Sequence, residues 1–222
     1  MSMQQKSQIR IVFAAAAVAL TGFASFEATR LTGMTTSDPD AAMLGWLRDP
    51  SRPDQMIGPP VLQEAMRDYT ALGGYAVLLI AILVAALFLY FLRGRSDVRF
   101  LLLTSLGGYT AGMSLKVLFG RPRPSVVTHL SHVSSLSFPS VHSMMSAVVF
   151  ITIGLLLSEM TTDRRVRVLL LAAPLCLTLL VGFSRVCMGV HYPTDVLAGW
   201  GVGLGWTWTA FQLRHRWQNA KV

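Results

Sequence analysis

Between Ala71 and Leu92 the chain runs for 22 residues without a single charged side chain. Wound as an α-helix, such a run is about 33 Å long, enough to cross the hydrocarbon of a bilayer. A backbone in hydrocarbon must satisfy its own hydrogen bonds, so the run is expected to be a membrane-spanning helix. Five more apolar segments follow the same logic: Ile9–Phe26, Val98–Phe119, Val141–Ser158, Val166–Val186 and Thr194–Leu213. The expected fold class is all-α, a polytopic membrane protein of six transmembrane helices. Residues 1–222 are read as one membrane-embedded domain. Composition agrees: 14% of residues are charged and 53% apolar, against about 25% charged in soluble domains. That excludes a water-soluble globule, and a chain this apolar is not disordered.

Lys6 and Arg10 precede an Ala-rich first segment, a pattern shared with signal peptides. Phe23, Phe26 and Glu27 crowd the point where a cut would fall, so the segment is expected to be retained as a helix. Cys176 and Cys187 are eleven residues apart. On one helix that is about 16 Å, beyond disulfide reach, and both read as small apolar fillers.

The net charge of +8 could suggest nucleic acid, but the basic residues sit between long apolar runs and fit a membrane instead. Eleven of the nineteen Lys and Arg occupy alternate connections: Lys6 and Arg10; Arg93, Arg95 and Arg99; Arg164, Arg165 and Arg167; Arg214, Arg216 and Lys221. The positive-inside rule makes that side cytoplasmic and places both termini there. The loop 27–70 falls on the other face with seven acids against four arginines. Within it, Pro60–Leu72 has apolar residues at helical spacing and is expected to form a short interfacial helix. Lys116, Arg121, Arg123 and Arg185 are left on the outer face, where positive charge is normally sparse.

Three clusters share that face. Lys116 stands near the end of the third segment, and Gly120-Arg121-Pro122-Arg123-Pro124 stops the helix. Cations this close repel one another unless an anion sits among them, and a phosphate matches both guanidinium and ammonium donors. Ser140 is placed to cap the fourth helix, whose first free N–H groups form an anion site, with His142 in the first turn. Third, His191 and Asp195 are four residues apart where the sixth helix begins at Pro193, with Arg185 just upstream. A carboxylate at that spacing can hold one ring nitrogen and leave the other as a nucleophile. A lone Asp195 would be costly at a membrane helix end, so His191 or Arg185 is expected to pair with it. Arg121 is read as a surface arginine facing lipid headgroups, and His129 and His132 are assigned no role.

Lys116, six residues, then Arg123-Pro124; Pro139-Ser140-x-His142; and Ser184-Arg185, five residues, His191, three residues, Asp195: this pattern resembles the three-part signature of the type 2 phosphatidic acid phosphatases, a superfamily that includes bacterial lipid phosphate phosphatases, glucose-6-phosphatase and vanadium haloperoxidases. Lys116–Asp195 would carry the catalytic motifs. The resemblance implies that His191 attacks phosphorus and Asp195 fixes its tautomer. It implies that His142 protonates the leaving oxygen and then activates water, while Lys116, Arg123, Ser140 and Arg185 hold the phosphate. The backbone N–H of Val141 belongs to that set too. Valine stands there where the family usually has glycine, and is expected to narrow the mouth of the site.

No metal or other cofactor is expected, since one carboxylate is too few for a two-metal centre. The expected substrate is a lipid phosphate or diphosphate reached from the outer (periplasmic) leaflet of a bacterial inner membrane. Polyprenyl diphosphate, phosphatidic acid, phosphatidylglycerol phosphate and a lipid A phosphate are the candidates. Membrane lipids are the expected surroundings and nucleic acid is excluded as a partner, while the oligomeric state is not readable. A lipid-to-lipid phosphotransferase would use the same site. A non-catalytic anion or lipid transporter would need ionisable groups deep in the spans, and none is there.

Overall fold

The computed structural model describes residues 39–133 and 135–220. Ile9–Phe26, Lys6, Arg10 and Lys221 lie outside the described residues. Among the described residues, seven helices and one small hairpin follow in order: α1 (Pro39–Gly45), β1 (Arg48–Asp49), β2 (Arg52–Met56), α2 (Pro60–Leu72), α3 (Tyr75–Arg93), α4 (Arg95–Phe119), α5 (Val141–Ser158), α6 (Arg164–Cys187) and α7 (Pro193–Asn219). The two strands pair antiparallel. The all-α expectation stands, with helices α3 to α7 corresponding to the second to sixth apolar segments.

Helices α3, α5 and α6 are long and apolar enough to cross a membrane by length and composition. α4 and α7 are less apolar because they carry glycines, Ser, Thr and charged ends. The second span is shorter at its start than the apolar run suggests. Gly73 and Gly74 separate α2 from α3, so Ala71 and Leu72 end the preceding helix. The outer face of α3 is apolar and exposed, with Leu79, Ile80, Leu83, Val84 and Leu87 all more than half exposed. In lipid such a face is the expected one.

Helix α5 is the centre of the bundle. Two-thirds of it is buried, and it packs against α3, α4, α6 and α7. Close approach is made possible by missing side chains. A Cβ on Gly199 would lie 2.5 Å from Ser140 O, and one on Gly203 would lie 2.5 Å from Met144 O, so α7 runs directly on the α5 backbone. Gly154 of α5 does the same against Leu170 O of α6. Small residues at helix crossings are how membrane bundles gain packing where the hydrophobic effect drives little.

Two polar ends follow from the up-and-down topology. At one end, Arg93, Asp97, Glu159 and Arg214 form an ionic network, with Arg214 Nη2 2.7 Å from Asp97 Oδ1 and Arg93 Nη2 2.8 Å from Glu159 Oε2. Arg93 also pairs with Asp97 through Nε. The other end gathers the C-terminus of α4, the start of α5, the end of α6 and the start of α7, and this is where the three clusters meet.

Candidate active site

Lys116 occupies the last turn of α4, which ends at Gly120 in the left-handed conformation. Its side chain is 4% exposed and turns inward to donate to the carbonyls of Leu136 and Ser137. The 120–140 connection returns over it, pinned by Ser137 N donating to Arg121 O (2.8 Å) and Leu130 N to Met188 O (2.9 Å). Arg123 is fixed within this connection. Its Nε donates to Ser135 O and its Nη1 to Val190 O, both at 2.6 Å.

Nη1 of Arg123 also lies 3.2 Å from Nε2 of His191. A guanidinium can only donate, so Nε2 accepts and the ring proton sits on Nδ1. Nδ1 in turn donates to Asp195 Oδ2 at 3.3 Å. The imidazole is thus held in one tautomer from both sides, with the lone pair on Nε2. His191 is 1% exposed. Burial, helped by Arg185 and Arg123, pushes it down to about 3 against the opposing pull of Asp195, so the ring is neutral.

Asp195 begins α7 and accepts from several sides at once. Oδ2 takes the backbone N–H of Tyr192 at 2.9 Å and the hydroxyl of Ser137, while Oδ1 takes Nη1 of Arg121 at 2.6 Å. The partner of Asp195 is therefore His191, as the spacing suggested, together with Arg121 rather than Arg185. Arg185 instead donates through Nη1 to Thr70 Oγ1 of α2 at 3.0 Å, tying the predicted interfacial helix to the site.

Ser140 caps α5, its Oγ accepting from the Ser143 backbone N–H at 3.5 Å and from Ser143 Oγ at 2.9 Å, and its own N–H donates to Asp195 O at 3.0 Å. His142 follows in the first turn, its ring 6.2 Å from that of Tyr75. The charges acting on His142 are those of Arg185, Arg123 and Lys116, and His191 interacts with it as well. All eight residues expected at the site thus lie at one end of the bundle. A cavity of about 390 Å³ opens beside Lys116 and Arg123, lined by the apolar Met113, Val117 and Leu136.

Three expectations need correction. Val141 does not narrow the mouth: its side chain is 3% exposed and packs with Leu78 and Met144 in the core. Gly112 leaves room for it, and the Val141 backbone stays at the helix start. Arg121 is not a surface arginine. It is 9% exposed, stacks 4.2 Å over the Tyr192 ring and bridges Asp195 and Asp40. Asp40 is accordingly a second carboxylate near the site, where one was expected. Ser137, Asp40 and Thr70 carry no local sequence signal, because their partners lie 58, 81 and 115 residues away.

Fold and site together define a helical membrane protein in which basic side chains gather at one end of the bundle near a buried, carboxylate-held histidine. The chain belongs to the PAP2 superfamily, whose family model matches residues 97–219. It is an integral membrane enzyme of the phosphatase class. It is 36% identical over 152 residues to phosphatidylglycerophosphatase B of Bacillus subtilis, covering 67% of this chain and 73% of that one. It is 30% identical to the undecaprenyl-diphosphatase BcrC of the same organism, over 55% of this chain and 61% of the relative. A lipid A 1-phosphatase of Rhizobium etli is 36% identical over 41% of this chain and 39% of its own length. Among solved structures, the transmembrane PAP2-type phosphatidylglycerolphosphate phosphatase of Bacillus subtilis superposes with a TM-score of 0.71 at 28% identity, covering 96% of this chain and 98% of that one. Aquifex aeolicus LpxE shares the fold, with a TM-score of 0.57 at 23% identity over 70% of this chain and 88% of its own.

Proposed function

We propose that this protein hydrolyses a lipid phosphate or diphosphate at the outer face of a bacterial inner membrane, through a phosphohistidine and without a metal ion. The observation that carries the reading is the fixed tautomer of His191, whose Nε2 lone pair faces the basic side chains. Nε2 attacks phosphorus, and the bond to the leaving oxygen breaks as His142 donates its proton there. The imidazolium that develops is stabilised by Asp195 through Nδ1. Lys116, Arg123, Arg185, the Ser140 side chain and the N–H groups at the α5 start, Val141 included, hold the equatorial oxygens where charge accumulates. His142, now neutral, takes a proton from water, which attacks the phosphohistidine and frees His191.

A lipid is favoured over a soluble ester because the site stands at the end of an apolar bundle beside an apolar cavity. The chain is read as one functional unit in which the outer loop supplies Thr70 and Asp40 behind the site. The relatives above are named for phosphatidylglycerol phosphate, undecaprenyl diphosphate and a lipid A phosphate, three lipids that share a phosphate group. The deciding experiment is phosphate release from these three lipids and phosphatidic acid, in detergent with EDTA present. Release that disappears in His191→Ala supports the reading, and release that needs added metal overturns its metal-free step. Transfer of labelled phosphate to an added acceptor lipid, in place of release, would make the enzyme a phosphotransferase.

A further inference from the structure

We propose that Asp40, in the outer loop, is a positioning residue that sets the charge behind the nucleophile, acting through Arg121 and Asp195. This rests on His191 being the nucleophile, as proposed above. Arg121 Nη2 is 2.9 Å from Asp40 Oδ2, Arg121 Nη1 is 2.6 Å from Asp195 Oδ1, and Asp195 Oδ2 is 3.3 Å from His191 Nδ1. Four side chains from three parts of the sequence thus form one line ending at the imidazole. The carboxylates are 2% and 0% exposed and the guanidinium 9%, so water screens these charges little.

The two ends of the guanidinium fork serve different carboxylates, and that division has a chemical consequence. Were Arg121 paired with Asp195 alone, its full positive charge would oppose the imidazolium that attack creates. With Asp40 on the other arm, the two carboxylates and one guanidinium carry a net formal charge of −1. Formation of the imidazolium then brings the line to neutrality, and the transition state is favoured over the resting state. Asp40 is held in register by Thr194, whose N–H donates to Oδ1 at 3.3 Å and whose hydroxyl donates to Oδ2. Thr194 is the residue before Asp195, so the outer loop and the start of α7 are locked together. Asp40 contacts Arg121 and Thr194 and stands outside the set assigned to the phosphate, so its effect belongs in turnover and not in binding.

The test is Asp40→Asn, which keeps size and acceptor oxygen and removes the charge. In the wild-type background kcat should fall about tenfold, with KM and the inhibition constant of inorganic phosphate within about twofold. In an Asp195→Asn background, where the line to the imidazole is already broken, the same change should have little further effect on the residual kcat. Retained inhibition by inorganic phosphate shows that the site is folded. An unchanged kcat in Asp40→Asn, an equal fold-loss in both backgrounds, or a loss confined to KM overturns the proposal. If His191→Ala remains active, the reading of the nucleophile fails instead, and the two failures are distinguished.

Discussion

Arg123 Nη1 stands 3.2 Å from His191 Nε2 and 2.6 Å from Val190 O, so a cation rests on the nitrogen to which the proposed mechanism assigns the attack. Entry of a phosphate gives that guanidinium a better partner, an anion with which it makes paired, charge-assisted bonds. On the proposed mechanism the substrate would thereby release the lone pair with which it reacts. On the proposed mechanism Arg123→Ala removes both this guard and a clamp on the equatorial oxygens. Its kcat/KM should fall about hundredfold or more, and Arg123→Lys should recover only part, because an ammonium cannot make the paired contact. Steady-state kinetics on any lipid phosphate that the wild type hydrolyses decides this, and full recovery by lysine would count against a forked contact.

The division of labour proposed for the histidines predicts a dependence on the leaving group. If His142 protonates the departing oxygen, His142→Ala should slow release from a lipid monophosphate about 10²- to 10⁴-fold. A p-nitrophenyl phosphate ester, whose leaving group departs without a proton, should suffer much less in the step that forms the phosphohistidine. An acid-quenched burst of p-nitrophenol from the variant would reveal that step, followed by slow turnover because water activation is also impaired. Equal losses with both leaving groups would remove His142 from the acid role.

Much of this architecture was readable from the chain itself, for identifiable reasons. α5 begins at Val141 and ends at Ser158 as the sequence suggests, because Ser140 supplies a cap and the apolar run stops at Glu159. Pro60–Leu72 is likewise a helix with the expected ends. Arg121 was not readable. Locally it is one more cation at a helix end, and the two carboxylates that claim it are 81 and 74 residues away. Val141 failed for a related reason. Whether a first-turn side chain faces a ligand or the core depends on what the neighbouring helix offers, and here Gly112 of α4 provides the space. Local periodicity reports which residues form helices, whereas pairing across the bundle is decided by the tertiary arrangement.

The burial of His191 has a signature in pH. Its ordinary value of 6.5 is pushed down to about 3 in the folded protein, chiefly by burial. The folded state therefore refuses a proton that the unfolded chain accepts below about pH 6.5. Stability from this group is fully present above that value and is lost as pH falls toward 3. The melting temperature in detergent should decline between pH 7 and pH 4, and the decline should be shallower in His191→Gln, which has no proton to refuse. Identical slopes for the two proteins would mean that other groups govern acid unfolding.

The β1–β2 hairpin is held to the site by a buried cation, and a glycine makes room for it. Arg48 is 6% exposed and donates through Nη1 to Cys187 O at 3.0 Å and through Nη2 to Thr128 O at 3.2 Å. It thereby joins β1, the end of α6 and the 120–140 connection that carries Arg123. Gly189 sits beneath it at φ +69°, in the left-handed region, and a Cβ there would overlap Arg48 Nη2. Gly189→Ala therefore faces two penalties, an unfavourable backbone conformation and the displacement of Arg48. Because Gly189 is two residues before His191, the displacement also moves the proposed nucleophile, so Gly189→Ala should lose about 1–3 kcal/mol of stability and most of its kcat. Arg48→Met separates the two effects, since it keeps the glycine and removes the clamp. It should lower the melting temperature and raise KM by loosening the connection around Arg123, with the fixed tautomer of His191 still in place. Wild-type melting and kinetics in both variants would show that the hairpin is not coupled to the site.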